Sequence, residues 1–145
     1  MAVGLKDHEF RALFLWQQSI FAGYADRIGD AAAYKRVIGC RLVLSRRHFL
    51  PPGEKTPRDT AWYDESANAI HFLKSSLRSR GINVLCGIIR HEFGHVIDTD
   101  PHAPGAERRA DALAHLATGQ PIRYTRGGLQ TIGKGADRRP DWLHQ

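Results

Sequence analysis

His91-Glu92-Phe93-Gly94-His95 places two imidazoles and a carboxylate within five residues. On a helix, residues four apart share a face, so His91 and His95 can turn ring nitrogens toward one metal ion. Glu92 stands beside them, within reach of a water on that ion. Two neutral nitrogen ligands next to a carboxylate base is the chemistry of metal-assisted hydrolysis. Zn²⁺ is the ion that H-E-x-x-H spacing serves, and peptide bonds are the usual target.

The flanking residues predict that helix. Leu85, Ile89, Phe93 and Val96 recur at helical spacing and form an apolar stripe, with Val84 and Ile88 extending it toward the helix start. A buried helix interrupted only by groups at ligand spacing needs partners for those groups, because an unpaired buried polar side chain is costly.

A catalytic zinc usually keeps three protein ligands and one open position. Asp98, His102, Glu107 and Asp111 lie downstream as candidates. Residues 106–117 have strong helical propensity, with Gly119 and Pro121 after them as a stop signal. Pro101, Pro104 and Gly105 make the turn between the two helices. Glu107 and Asp111 are four apart and share a face. One carboxylate can bind the metal while the other accepts the second N–H of a ligand histidine, which fixes its tautomer. Asp98 fits a supporting role at the end of the first helix.

His91-Glu92-x-x-His95 followed by Glu107-x-x-Ala110-Asp111 resembles the gluzincin branch of zinc metallopeptidases. The resemblance spans roughly residues 60–119. It implies a zincin-like domain in which Glu107 is the third zinc ligand and Asp111 orients His91. It also implies an edge hairpin before the active helix, matched here by residues 62–63 and 69–72 around a polar turn. Zincins hold substrates as extended strands along such an edge, so strand 69–73 is expected to lie above the metal and a peptide or protein substrate to add to it. Glu107 follows His95 by only twelve positions, which makes this a minimal version. The metzincin pattern does not fit: positions 98 and 101 are Asp and Pro, and the only methionine is Met1. Gluzincins commonly add a Tyr or His that steadies the oxyanion. Here Tyr124, His102 and His115 are the candidates, and His115 continues the Glu107–Asp111 face.

The rest of the chain must position these groups. At 145 residues it has the size of one domain. A zincin-like domain over residues 1–119 and a basic C-terminal tail over 120–145 are expected. A helix over residues 5–28 carries Phe10, Leu13, Phe14, Trp16 or Gln17, Ile20, Phe21 and Tyr24 at helical spacing. A short helix at 31–37 and a strand at 38–45 follow. Residues 46–60 read as a loop and 74–81 as a linking segment, before metal-site helices at 82–99 and 105–118. The fold class is therefore α+β: a small, mostly antiparallel sheet packed on helices.

No stretch approaches about 18 continuous apolar residues, and no signal peptide opens the chain, so no membrane association and a cytoplasmic location are expected. Cys40 and Cys86 read as small buried residues rather than a disulfide. The net charge is +6, and five Lys/Arg against two Asp lie after Gly119. Such a tail is either solvated or recruits nucleic acid. Trp142, Leu143 and His144 at its end read as a terminus or as a plug for the cleft. Three functional expectations follow. The first is a zinc metallopeptidase with Glu92 as general base. The second is a non-catalytic structural module of a larger assembly, phage assemblies included. The third is a regulatory protease brought to DNA by its tail.

Overall fold

The structure, a computed structural model, describes residues 4–46 and 60–133. Helix α1 (Asp7–Arg27) carries Asp7 and Glu9 in its first turn and Arg27 in its last, matching the helix dipole. It ends ahead of Gly29, whose φ of +73° is a left-handed conformation that favours glycine. Asp30 then caps α2 (Ala31–Gly39) by accepting from the Ala33 N–H at 3.0 Å. Strand β1 (Arg41–Ser45) follows. The hairpin β2 (Ala61–Asp64) and β3 (Ala69–Leu73) runs directly into a short helix, α3 (Lys74–Ser79), where the sequence suggested only a linker. Then come α4 (Ile82–Ile97) and α5 (Ala106–Thr118).

The fold is α+β, but its main sheet is mixed rather than mostly antiparallel. The strand order is β1-β3-β2, with β2 antiparallel and β1 parallel to β3. The hairpin partner takes one side of β3, so β1 can join only on the other. This corrects the expected position of the strand at 69–73. It is central, with Ala69, Ile70, Phe72 and Leu73 buried. Strands β1 and β2 are the two edges of this sheet among the described residues.

Helix α4 is the core of the molecule. From Leu85 to Ile97 every residue except His95 is buried. Phe93 packs between Phe14 and Phe21 of α1, at ring separations of 5.2 and 5.3 Å, and Phe10 meets Phe72 of β3 at 4.7 Å. Each such ring contributes about 1.5–3 kcal/mol by leaving water. At the Trp16/Gln17 ambiguity, Gln17 turns inward and Trp16 stays 67% exposed. The reason is Arg90, buried on α4, which donates from Nε to Gln17 Oε1 at 2.8 Å. A polar side chain is needed there, and indole has no acceptor for it.

Residues 120–133, grouped with the tail in the sequence reading, include a second hairpin, β4 (Arg123–Tyr124) and β5 (Gln130–Thr131). It lies against α4 where Gly87 stands. A Cβ at Gly87 would come within 2.5 Å of the Thr131 backbone. The Ile132 N–H also donates to the Asn83 carbonyl at 3.2 Å. Among the described residues, no helix is long and apolar enough to cross a membrane.

Helices α4 and α5 meet through small residues. A Cβ on Gly94 would overlap the Ala110 carbonyl and stand 2.8 Å from Ala110 Cα. That clash is with backbone and cannot be relieved by a rotamer. Gly94→Ala is therefore expected to destabilise the protein by about 3 kcal/mol. Urea denaturation checks this, and an unchanged midpoint would contradict the described helix contact.

Candidate metal centre

Helical spacing on α4 sets His91 and His95 with ring centroids 4.8 Å apart and planes at 89°. Glu107 faces them from the first turn of α5. Its carboxylate lies 2.9 Å from His91 Nε2 and 3.1 Å from His95 Nε2, and the two Nε2 atoms are 3.2 Å apart. Ligand bonds of about 2.0–2.2 Å at a tetrahedral ion put donor atoms about 3.3–3.5 Å apart, close to these separations. His91, His95 and Glu107 form a group of side chains able to hold a metal ion.

The other side of His91 settles which nitrogen is available. Asp111 Oδ1 is 2.6 Å from His91 Nδ1, so Nδ1 is the protonated, donating nitrogen. Asp111 Oδ2 in turn accepts from the Tyr124 hydroxyl at 2.8 Å. With Nδ1 carrying its hydrogen, Nε2 of a neutral His91 would point a lone pair at the Glu107 carboxylate. That contact is repulsive unless a cation, a proton or a metal ion, lies between them. Without a metal, the proton serves. Burial alone would lower the basicity of His91, but hydrogen bonds to Asp111 and Glu107 outweigh it and push the pKa up to about 10. Burial opposes ionisation of Glu107 in the same way, and the two histidines outweigh it, holding its carboxyl well below the usual range. The same three donors could hold a metal ion in place of that proton.

The site opens on a cavity of about 460 Å³. Its floor is α4, with Ile88, His91, Glu92 and His95. One wall is Thr60 and β2, and the other is formed by α5 and by Leu129 and Gln130 of the second hairpin. Glu92 is 6% exposed and lines this cavity beside the metal donors.

The remaining sequence candidates lie elsewhere. Asp98 is buried at the end of α4, where it accepts from the Asp100 N–H and from Arg109 Nε, each at 3.0 Å. It braces the α4–α5 connection and makes no described contact with the donors. His102 is 83% exposed and pairs with Glu65 at 3.1 Å. His115 is exposed on α5 and does not line the cavity. Tyr124 is buried and spends its hydroxyl on Asp111. None of the three candidate oxyanion donors faces the cleft. Residues 142–144 lie outside the described residues, as does the basic stretch beyond Gly133.

The sequence reading missed one contributor and gave another the wrong task. Tyr124 was seen, but as a candidate for a different task. No periodicity links a tyrosine beyond Pro121 to Asp111, because only the second hairpin brings them together. Arg109 went unnoticed. Its guanidinium binds Asp98 and the carbonyls of Asp100, Ala103 and Pro104 at 2.6–3.0 Å, clamping the short connection between the helices. An arginine four residues after Gly105, in a segment with two prolines, was the available signal.

No protein family, curated protein or solved structure matches this chain.

Two measurements test the centre. An incoming ion must displace the His91 proton, which is held at every pH below about 10. Apparent zinc affinity is therefore expected to rise about tenfold per pH unit between about pH 6.5 and 8. A chelator competition titration reads this, and a flat profile would mean that the ion displaces no proton from His91. Tyr124→Phe, which frees one Asp111 oxygen, should weaken zinc binding about tenfold, and Glu107→Ala by more. Full zinc retention in Glu107→Ala would remove Glu107 from the ligand set.

Proposed function

We propose that this protein is a compact, gluzincin-like zinc metallopeptidase. The observation that carries the reading is the constellation around His91. Three donor atoms converge on one point, Asp111 backs the buried imidazole, and an acid at the next position opens into the same cleft. A purely structural metal site has no use for Glu92 or for a cavity. Two imidazoles and one carboxylate suit zinc better than calcium or magnesium, which prefer all-oxygen sites.

In this reading His91, His95 and Glu107 hold the ion, and Asp111 with Tyr124 keeps His91 in the ligating tautomer. When bound, the ion supplies Lewis acidity that lowers the pKa of water toward about 7 and polarises the scissile carbonyl. Glu92 accepts the proton of the attacking water, keeps it inside the cleft and delivers it to the departing amine. Strand β2 runs along the cleft wall, so its main chain can take an extended peptide by strand addition. That role passes from the strand at 69–73 to the edge strand at 61–64.

Glu92→Gln keeps the shape and removes the base. It is expected to retain stoichiometric zinc while peptide cleavage falls about 10²- to 10⁴-fold. Metal analysis and mass spectrometry of a digested peptide mixture check both halves. Zinc-loaded wild type that cleaves nothing would favour a non-catalytic module instead.

A further inference from the structure

A second cavity, about 160 Å³, adjoins the metal cleft behind His95. Tyr63, Glu65, His95 and Pro101 line both, so the two are neighbouring compartments of one depression. Arg36, near the end of α2, also lines the smaller one. Apart from His95, it is the only basic side chain there among the described residues.

Arg36 is held in place at two points. Its Nε donates to the Val96 carbonyl in the last turn of α4 at 2.8 Å. Its own carbonyl accepts from Asn68 Nδ2 at 3.0 Å. Asn68 sits in the β2–β3 turn at a φ of +48° and accepts from the Tyr63 hydroxyl at 2.7 Å. Burial pushes the Tyr63 phenol up to about 12, so at neutral pH it remains the donor of that bond. The guanidinium is thus ordered before any ligand arrives, which lowers the entropic cost of binding.

One end of it is unsatisfied. Arg36 Nη2 is buried and has no hydrogen-bond partner among the described residues, while the half-buried side chain lines the cavity. A buried charged donor without an acceptor is destabilising and calls for a functional account. The acids around this cavity are committed elsewhere. Asp98 is bound by Arg109 and the Asp100 N–H, and Glu65 pairs with His102. Among the described residues no acceptor is left for it, and a bound ligand can supply one. The group that best fits a planar guanidinium fork is a carboxylate.

We propose that this cavity is a carboxylate-recognising subsite, in which Arg36 pairs with an acidic side chain or the C-terminal carboxylate of the bound peptide. The inference rests on the metallopeptidase reading and makes Arg36 a specificity-determining residue one compartment away from the scissile bond. Because Arg36 also caps α4, loss of the side chain alone would not separate recognition from structure. A comparison between carboxylate and amide ligands does.

The test uses zinc-loaded Glu92→Gln protein, which binds peptide without cutting it, and fluorescence anisotropy as the readout. One probe set is a library of acetylated peptide amides in which a single Glu or Asp, moved through every position, is compared with Gln or Asn. A second set compares free C-termini with amides. One of the two sources is expected to bind about tenfold or more tightly as carboxylate than as amide. Adding Arg36→Gln should abolish that ratio, and Arg36→Lys should keep part of it. A merely structural arginine would weaken carboxylate and amide ligands alike and leave the ratio unchanged. Equal affinities in the Arg36-containing protein overturn the subsite, whether or not the Arg36 variants fold. Cleavage by wild type without carboxylate preference also sinks the subsite while sparing the peptidase reading. Arg36-dependent preference without cleavage does the reverse.

Discussion

The burial of His91 between two carboxylates is the constraint that organises this molecule. The imidazole is 1% exposed and touches Asp111 on one nitrogen and Glu107 on the other. Both acids belong to α5, so the charges balance only if α5 lies directly against α4. Gly94 and Ala110 permit that approach by having almost nothing between the helices. The four residues from His91 to Gly94 meet three different parts of the protein. His91 faces the acids of α5, Glu92 the cleft, Phe93 the aromatic stripe of α1, and Gly94 the backbone of α5. Helical rotation of about 100° per residue turns one short sequence into four contacts, and this leaves little freedom to shift the register.

Other interactions hold that arrangement from the outside. Arg109 closes the α4–α5 connection by binding three of its carbonyls and Asp98, so a twelve-residue spacing delivers Glu107 to the histidines without a longer insertion. Arg90 ties α4 to α1 through Gln17 and to the segment after α5 through Gln120, at 2.8 and 2.6 Å. Its acceptors are neutral amides, and burial pulls its pKa down from the ordinary value. The second hairpin brings Tyr124 to Asp111. Each of these contacts ties one segment of the chain to another, and each ends within two residues of a proposed ligand or its support.

This division explains what could be read from the sequence. Contacts along one helix face were legible: His91 with His95, Glu107 with Asp111, and the stripe of Phe10, Phe14 and Phe21. So was the hairpin, whose alternating residues flank a polar turn. Contacts that depend on two elements packing were not. The sequence does not encode locally that β1 joins the far side of β3, because both ladders use the same β-branched and apolar residues. Nor does it separate Trp16 from Gln17 as the inward residue until Arg90 is known to lie opposite. Tyr124 and His115 show the same limit at the site. Both carry groups suited to catalysis, but one is committed to Asp111 and the other points away from the cleft.

The donors around the proposed ion differ sharply in exposure, and that difference bears on how the site would work. His91 is buried and backed by Asp111 and Tyr124, so its position is fixed by a relay that solvent barely reaches. Glu107 is the opposite case, with a side chain 45% exposed and, among the described residues, only the two histidines as ion-pair partners. One side of the centre is therefore rigid and dry, and the other is open toward the cavity. A rigid side sets where an ion sits, because a buried imidazole of fixed tautomer cannot follow a displaced cation. An open side leaves room for a water and a carbonyl to approach from the cleft, where Glu92 and β2 lie. A structural metal site would close both sides with ligands. The asymmetry, more than the motif itself, argues for chemistry at this centre.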